Sequence, residues 1–171
     1  MYKRQALVLL ESGKTSDARN ALMESVKNQP QSLCAITTAV ATLRTMGESQ
    51  HAQELLDKSY SQINFAEFKQ ADSQPEDWPQ RIYALCRGDK TLAALESEMG
   101  TERVREKLLW PAAYFLYGCE ELARGHRNEA LESYRRSAAT FDEEDYCYLA
   151  KVFVRKMEKD PSWPKWISVQ P

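Results

Sequence analysis

A pairing of glycine with alanine recurs four times along the chain, and the alanine always stands five residues after the glycine. The four pairs are Gly13 with Ala18, Gly47 with Ala52, Gly88 with Ala93, and Gly125 with Ala130. Successive glycines lie 34, 41 and 37 residues apart. Two helices joined at a glycine cannot bury their apolar face alone, so units of this length must stack on one another. The pattern therefore predicts a repeat array whose function lies on a surface of the stack.

The first two copies of the unit are in strict register. Five positions recur 34 residues later: Leu9, Gly13, Ala18, Leu22 and Ser25 correspond to Leu43, Gly47, Ala52, Leu56 and Ser59. These positions resemble the tetratricopeptide repeat, whose pattern is Trp-x2-Leu-Gly-x2-Tyr, then Ala-x3-Phe, then Pro. The fourth copy carries the pattern at Tyr114, Tyr117, Gly118, Gly125, Ala130 and Tyr134, and the first at Tyr2, Ala6, Leu9, Gly13, Ala18, Leu22 and Pro30. The second copy has Ile36 where an aromatic residue is usual, and the third keeps little beyond Gly88 and Ala93.

The resemblance covers most of residues 1–140 and implies an all-α fold: a right-handed α-α superhelix, or solenoid, of about four helical hairpins plus a C-terminal capping helix. The hairpins are expected at about 1–32, 33–64, 75–100 and 111–142 and the capping helix at 143–158, in a domain of residues 1–160 followed by a tail at 161–171. Apolar periodicity and the turn glycines predict helices over 2–12, 15–28, 32–46, 49–63, 76–87, 90–99, 110–124, 127–140 and 143–158. The alanines of the repeat are expected where two helices cross closely, because a larger side chain would force them apart.

The irregular stretches between and after the repeats carry their own predictions. Residues 64–75 are polar and predict a loop, and the stretch from Gly100 to Trp110 predicts an extra helical turn or two. The last helix places Tyr146, Leu149, Ala150, Phe153 and Met157 on one face, as expected of a helix that covers the apolar end of a stack. After it, Trp163 and Trp166 are expected to pack back on the body or to dock elsewhere.

Charge and hydropathy exclude several classes of function. The chain has 171 residues, with 23 Lys and Arg against 25 Asp and Glu, so the net charge is −2. Neither a nucleic acid nor an anionic membrane is favoured by that balance. No apolar run reaches the length that spans a bilayer, and no secretory leader is visible, so we expect a cytoplasmic protein. The first repeat helix has no cap before it, as expected of a fragment of a longer protein.

Residue types that carry chemistry are too scattered to predict a catalytic or metal site. The cysteines Cys34, Cys86, Cys119 and Cys147 form no Cys-x2-Cys pair, so we expect free thiols and neither a metal nor a cofactor. His51 and His126 are expected at the surface, without a nucleophile in reach. The neighbouring carboxylates Glu120 and Glu121 point to different sides of a helix, and we expect both to be solvated. We therefore predict that the chain is not an enzyme.

In the tetratricopeptide family the first helix of each hairpin lines a concave groove that holds peptides. The repeat register places four trios there: Lys3, Leu7 and Leu10; Thr37, Ala41 and Arg44; Trp78, Ile82 and Leu85; Phe115, Cys119 and Leu122. The predicted partner-binding residues are Lys3, Leu7, Arg44, Trp78, Ile82, Phe115, Cys119 and Leu122, with Lys3 and Arg44 orienting the ligand. The resemblance thus implies a non-catalytic protein–protein interaction module that binds a partner peptide or helix in an apolar groove.

Several alternatives stay open at this point. The chain could be a regulatory or sensor segment of a larger multidomain protein whose groove is occupied intramolecularly. Some groove positions could instead be core residues, or the tail with Trp163 and Trp166 could fill the groove. Exposed ends of a solenoid also favour self-association.

Overall fold

The computed structural model describes residues 2–65, 78–99, 109–140 and 145–164, and these four ranges contain nine α-helices and no strand. The helices are α1 Tyr2–Glu11, α2 Thr15–Asn28, α3 Leu33–Thr45, α4 Ser49–Tyr60, α5 Trp78–Arg87, α6 Leu92–Met99, α7 Leu109–Ala123, α8 Arg127–Ala139 and α9 Asp145–Lys159. The all-helical prediction is confirmed for these residues, and each described helix end lies within three residues of its predicted position. The predicted loop at 64–75 and the predicted turns at 100–110 fall largely outside the described residues.

The repeat glycines end the first helix of each hairpin in the same way. All four have a positive φ, between +76° and +83°, a conformation that costs least in glycine. After each glycine, the next backbone N–H returns to a carbonyl five residues earlier at 2.9 Å, as in the bonds from Lys14 to Leu9 and from Glu48 to Leu43. That bond belongs to the standard glycine cap of a helix C-terminus. The recurrence seen in the sequence is therefore a recurring turn.

Three of the four repeat alanines lie at buried helix crossings, as predicted: Ala18, Ala52 and Ala130 are fully buried. The prediction is wrong for Ala93, which is exposed. The reason is that α6 begins four residues after its glycine, whereas α2, α4 and α8 begin two residues after theirs. Two extra residues rotate a helix by about 200°. Leu95 consequently occupies the buried position that alanine fills in the other hairpins.

The contacts between hairpins do not simply follow the order of the hairpins along the chain. Helix α3 packs directly against α7, and α5 lies against both of these helices. Helix α3 is consequently the centre of the molecule, with eleven of its thirteen residues buried. Three of its four threonines tolerate this burial because their hydroxyls donate to carbonyls three or four residues earlier: Thr37 to Leu33 at 2.8 Å, Thr42 to Thr38 at 2.8 Å and Thr45 to Thr42 at 2.7 Å.

Helix α9 covers α7 and α8 with the apolar face that the sequence predicts. Its five predicted face residues, Tyr146, Leu149, Ala150, Phe153 and Met157, are all buried. The chain then turns back, and the Trp163 ring packs edge-on against Phe153 with 5.1 Å between ring centroids. Of the two expectations for the tail, packing on the body is thus confirmed for Trp163, while Trp166 lies outside the described residues.

Candidate functional site

Four of the predicted groove residues are core residues. Ile82, Phe115, Cys119 and Leu122 expose between 0% and 3% of their surface, so the prediction that they face a partner is wrong. The cause is that α3, α5 and α7 contact one another, which brings together the faces that would otherwise line an open groove. Phe115 is also covered by α8 and α9, whose rings lie at centroid distances of 5.7 to 5.9 Å from its own: Tyr134, Tyr146 and Phe153.

The other four predicted residues have different positions. Lys3 and Leu7 belong to α1, but their side chains are not among those that the structure describes. Trp78 is partly buried and packs against the core at the start of α5. Arg44 lines a cavity, with 19% of its side chain exposed.

This cavity lies where α3, α5 and α7 end, and it has a volume of about 320 Å³. We call it the α3/α5/α7 cavity. The turn between α5 and α6 closes one side of it. Its apolar lining comes from all of these elements: Val40, Ala41, Leu85, Cys86, Leu92 and Leu116. The hydroxyl-bearing residues Thr91 and Tyr117 complete the wall between the apolar lining and the charged rim.

The charged lining of the cavity is mostly cationic. Four cations, Arg44, Arg87, Lys90 and Arg124, line it beside a single carboxylate, Glu120. Arg44 and Arg87 stand in the last turns of α3 and α5, and Arg124 directly follows α7. Positive charge at a helix C-terminus is stabilised by the helix dipole. The convergence of three helix ends therefore explains why the cations collect here.

Glu120 links two of these cations. Its Oε2 accepts from Arg44 Nη1 at 3.2 Å, and its Oε1 accepts from Arg124 Nη2 at 3.0 Å. Glu121, next to it, also accepts from Arg124, at 3.2 Å, and its other oxygen lies 2.7 Å from His126 Nδ1. The prediction that Glu121 is solvated is wrong, because only 6% of its side chain is exposed. Arg124 and His126, three and five residues later in the sequence, were the available signal.

The remaining cations of the cavity have carboxylate partners that lie outside its lining. Arg87 Nε is 3.1 Å from Asp89 Oδ2, and Lys90 Nζ bonds Glu98. Arg44 engages one of its five N–H groups with Glu120, and no other side chain of the described residues accepts from it. A ligand in the cavity would therefore meet guanidinium and ammonium groups that can still donate.

The cavity lining includes one thiol, that of Cys86. Burial raises the pKa of the Cys86 thiol to about 12, so that this thiol stays protonated at neutral pH and is a poor nucleophile. Both histidines are exposed, as predicted, and His51 Nδ1 lies 3.0 Å from Glu48. Among the side chains of the described ranges, no three His, Cys, Asp or Glu residues are placed to hold a metal ion.

Comparison of the chain with known protein families, with characterised proteins and with solved structures finds no match. No helix within the described residues has the length and apolarity needed to cross a membrane. The function therefore has to be inferred from the geometry of the residues themselves.

Proposed function

We propose that the chain is a non-catalytic protein-interaction module of the tetratricopeptide type, a right-handed superhelix of hairpins capped by α9. The hairpin turns with left-handed glycines support the architecture. So does the contact of Gly118 with Tyr134, since both positions belong to the repeat pattern. Four free cysteines suit a reducing compartment, and we propose the cytoplasm as its location.

The α3/α5/α7 cavity is the proposed binding site, and its mixed lining is the observation that carries this proposal. Its volume of about 320 Å³ lies at the lower end of the range of about 300 to 1,000 Å³ that is usual for ligand pockets. It can therefore hold one large side chain of a partner rather than a long segment. The apolar wall formed by Leu85, Leu92 and Leu116 would surround that side chain.

The rim of the cavity selects for a negative group beside the apolar one. Arg44 is partly buried, and its free N–H groups can donate to a carboxylate in the geometry that guanidinium groups favour. Lys90 and Arg87 lie on the opposite side, in or next to the turn after α5. We therefore infer that the partner segment carries an apolar side chain next to a carboxylate, either of Asp or Glu or of a chain terminus.

A peptide library in which Leu, Ile or Phe stands next to Asp or Glu tests the proposal. Selected peptides are labelled and their binding is measured by fluorescence anisotropy. Leu85→Trp fills the cavity from its partly exposed wall, and Arg44→Gln removes the rim charge. Each should weaken binding about tenfold, the effect of roughly 1.4 kcal/mol of lost interaction.

Val8→Trp is the matched control, because Val8 is the most exposed apolar side chain described and does not line the cavity. It should leave peptide affinity unchanged. A library that yields no peptide, or selected peptides that bind the Leu85→Trp and parent proteins equally, would reject the cavity as the binding site.

A further inference from the structure

A second surface, separate from the α3/α5/α7 cavity, lies on the outer side of α8 and α9. Within the described residues, α1, α3 and α7 each pack against the helix that follows them, whereas α9 is followed only by a turn at 160–164. Side chains of α8 and α9 together line a shallow groove. We call it the α8/α9 groove.

The floor of the groove consists of small apolar side chains. Ala138 and Val154 are partly buried, and Ala139 is exposed. Residues of this size let a further helix approach α8 and α9 closely, since the distance between packed helices is set by the side chains at the contact. A groove between two helices with an apolar floor is a recognised receptor for an amphipathic helix.

The walls of the groove carry an excess of positive charge. Lys151, Arg155 and Lys159 follow one another at intervals of four residues on α9, and all three are exposed. No carboxylate of the described residues pairs with them, although each of the four cations of the α3/α5/α7 cavity has such a partner. Arg135 of α8 is paired with Glu158, at 2.7 Å, so the groove holds four cations and one carboxylate.

This excess stands against the balance of the whole chain, whose net charge is −2. Like charges four residues apart on a helix repel one another. The row of cations therefore costs stability in the free protein, and an anionic partner would relieve that cost.

We propose that the α8/α9 groove binds an acidic amphipathic helix of a partner protein. Successive cations of the row are separated by about 6 Å along α9, the rise of four helical residues. The row of three cations is about 12 Å long. A partner helix with Glu at the same interval matches this row from end to end, because both helices have the same rise per residue. Its neighbouring apolar face then covers Ala138, Ala139 and Val154.

The chain's own tail is a poorer occupant on charge. Residues 165–171 contain one lysine and no aspartate or glutamate. Charge complementarity thus favours a segment of another protein.

Two labelled peptides of about 18 residues, long enough to form helix when bound, test the proposal. One carries Glu at every fourth position beside a stripe of Ala and Leu, and the other has Gln in place of each Glu. Anisotropy is recorded for the complete chain at rising NaCl concentration. The Glu peptide should bind about tenfold more tightly than the Gln peptide, and its affinity should fall as salt screens the charges.

The double variant Arg155→Glu with Lys159→Glu should weaken binding of the Glu peptide by at least about tenfold. Lys14→Glu with Lys58→Glu is its control, since both lysines are exposed, lie outside the groove and change the net charge equally. An equal loss of Glu-peptide affinity in both double variants would show that only net charge matters and would overturn the proposal. Single-stranded DNA or phosphatidylserine vesicles that outcompete the Glu peptide would overturn it as well. Because the Leu85→Trp variant should bind the Glu peptide normally, failure here is distinguishable from failure at the cavity.

Discussion

At the scale of single residues, a close contact between α7 and α8 depends on Gly118. A Cβ at this position would lie 2.7 Å from Cε1 and 2.9 Å from Cδ1 of the Tyr134 ring. That ring cannot easily move, because it is fully buried, packs edge-on against Phe153 at 5.1 Å, and donates its hydroxyl to Cys119 Sγ at 3.3 Å. Both residues belong to the repeat pattern, and the Tyr134 ring occupies the space that a side chain at position 118 would need.

Gly118→Ala should therefore destabilise the protein. Alanine gains up to about 1 kcal/mol of helix propensity over glycine. Overpacking costs about 1–3 kcal/mol, so we expect a net loss of about 1 kcal/mol in the free energy of unfolding. Urea denaturation measures it. In a Tyr134→Leu background the same change should cost less, because the clashing ring is gone. A Gly118→Ala protein more stable than its parent would contradict the close contact.

At the scale of elements, the sequence predicted which helices form, but only part of how they pack. The turn glycines and apolar periodicity located all nine described helices. They did not reveal that α6 starts two residues later than predicted. Thr91 caps this helix in place of the residue directly after the glycine, and the Thr91 hydroxyl accepts from Ala94 N at 3.1 Å. A cap of this kind depends on the local sequence and is independent of the repeat period.

The candidate site was predictable to a smaller extent. Arg44 was found because it belongs to a first helix in register with the repeat. Glu120 and the cations of the α5–α6 turn were missed, since their convergence depends on the contact of α3 with α7. The repeat pattern fixes neighbours within a hairpin, but not how far one hairpin stands from the next. Contacts between hairpins also buried Ile82 and Phe115, which the pattern placed in an open groove.

The junction of α8 and α9 gives a prediction at this scale. Arg127, the first residue of α8, reaches the end of α9: its Nη2 donates to the carbonyls of Met157 and Asp160, each at 3.1 Å, and its Nη1 donates to that of Trp163. The Met157 carbonyl lies in the last turn of α9, where a helix leaves its carbonyls without an intrahelical partner, and the other two carbonyls belong to the turn that follows. A single guanidinium thus joins the two helices and holds the turn after α9.

Arg127→Ala should lower the free energy of unfolding by about 1–3 kcal/mol, because charged hydrogen bonds to partly buried carbonyls are lost. Hydrogen exchange of residues 160–163 should accelerate as well. Arg135→Ala is the matched control on the same helix, where an exposed pair with Glu158 contributes at most about 1 kcal/mol. Equal effects of the two substitutions would show that Arg127 does not anchor the turn.

At the scale of the whole molecule, the core is largely apolar but contains several ionisable groups. Cys86 of α5, Cys119 of α7, Tyr134 of α8 and Tyr146 of α9 are all buried. Tyr146 also joins α9 to α3, with 2.7 Å between its hydroxyl oxygen and Thr37 Oγ1. Protonated thiols and phenols can be buried at modest cost, whereas their charged forms cannot. Five of the nine described helices therefore meet around groups that must stay neutral.

The stability of the fold should consequently decline at alkaline pH. Burial raises the pKa of both Cys86 and Cys119 from an ordinary 9.0 to about 12, and it also raises the pKa values of Tyr134 and Tyr146. Between these values the unfolded chain loses protons that the folded chain keeps. The stabilisation is thus complete below pH 9 and is lost as the pH rises towards 12, by up to about 1.4 kcal/mol per pH unit for each thiol. Urea unfolding in steps of pH above 8 measures this slope.

Cys86→Ala removes one of the thiols and should make the decline shallower by that amount, after its own loss of packing at neutral pH is subtracted. A free energy of unfolding that stays constant from pH 8 to pH 10.5, about 1.5 units above the ordinary thiol value, would mean that these groups reach water in the folded protein.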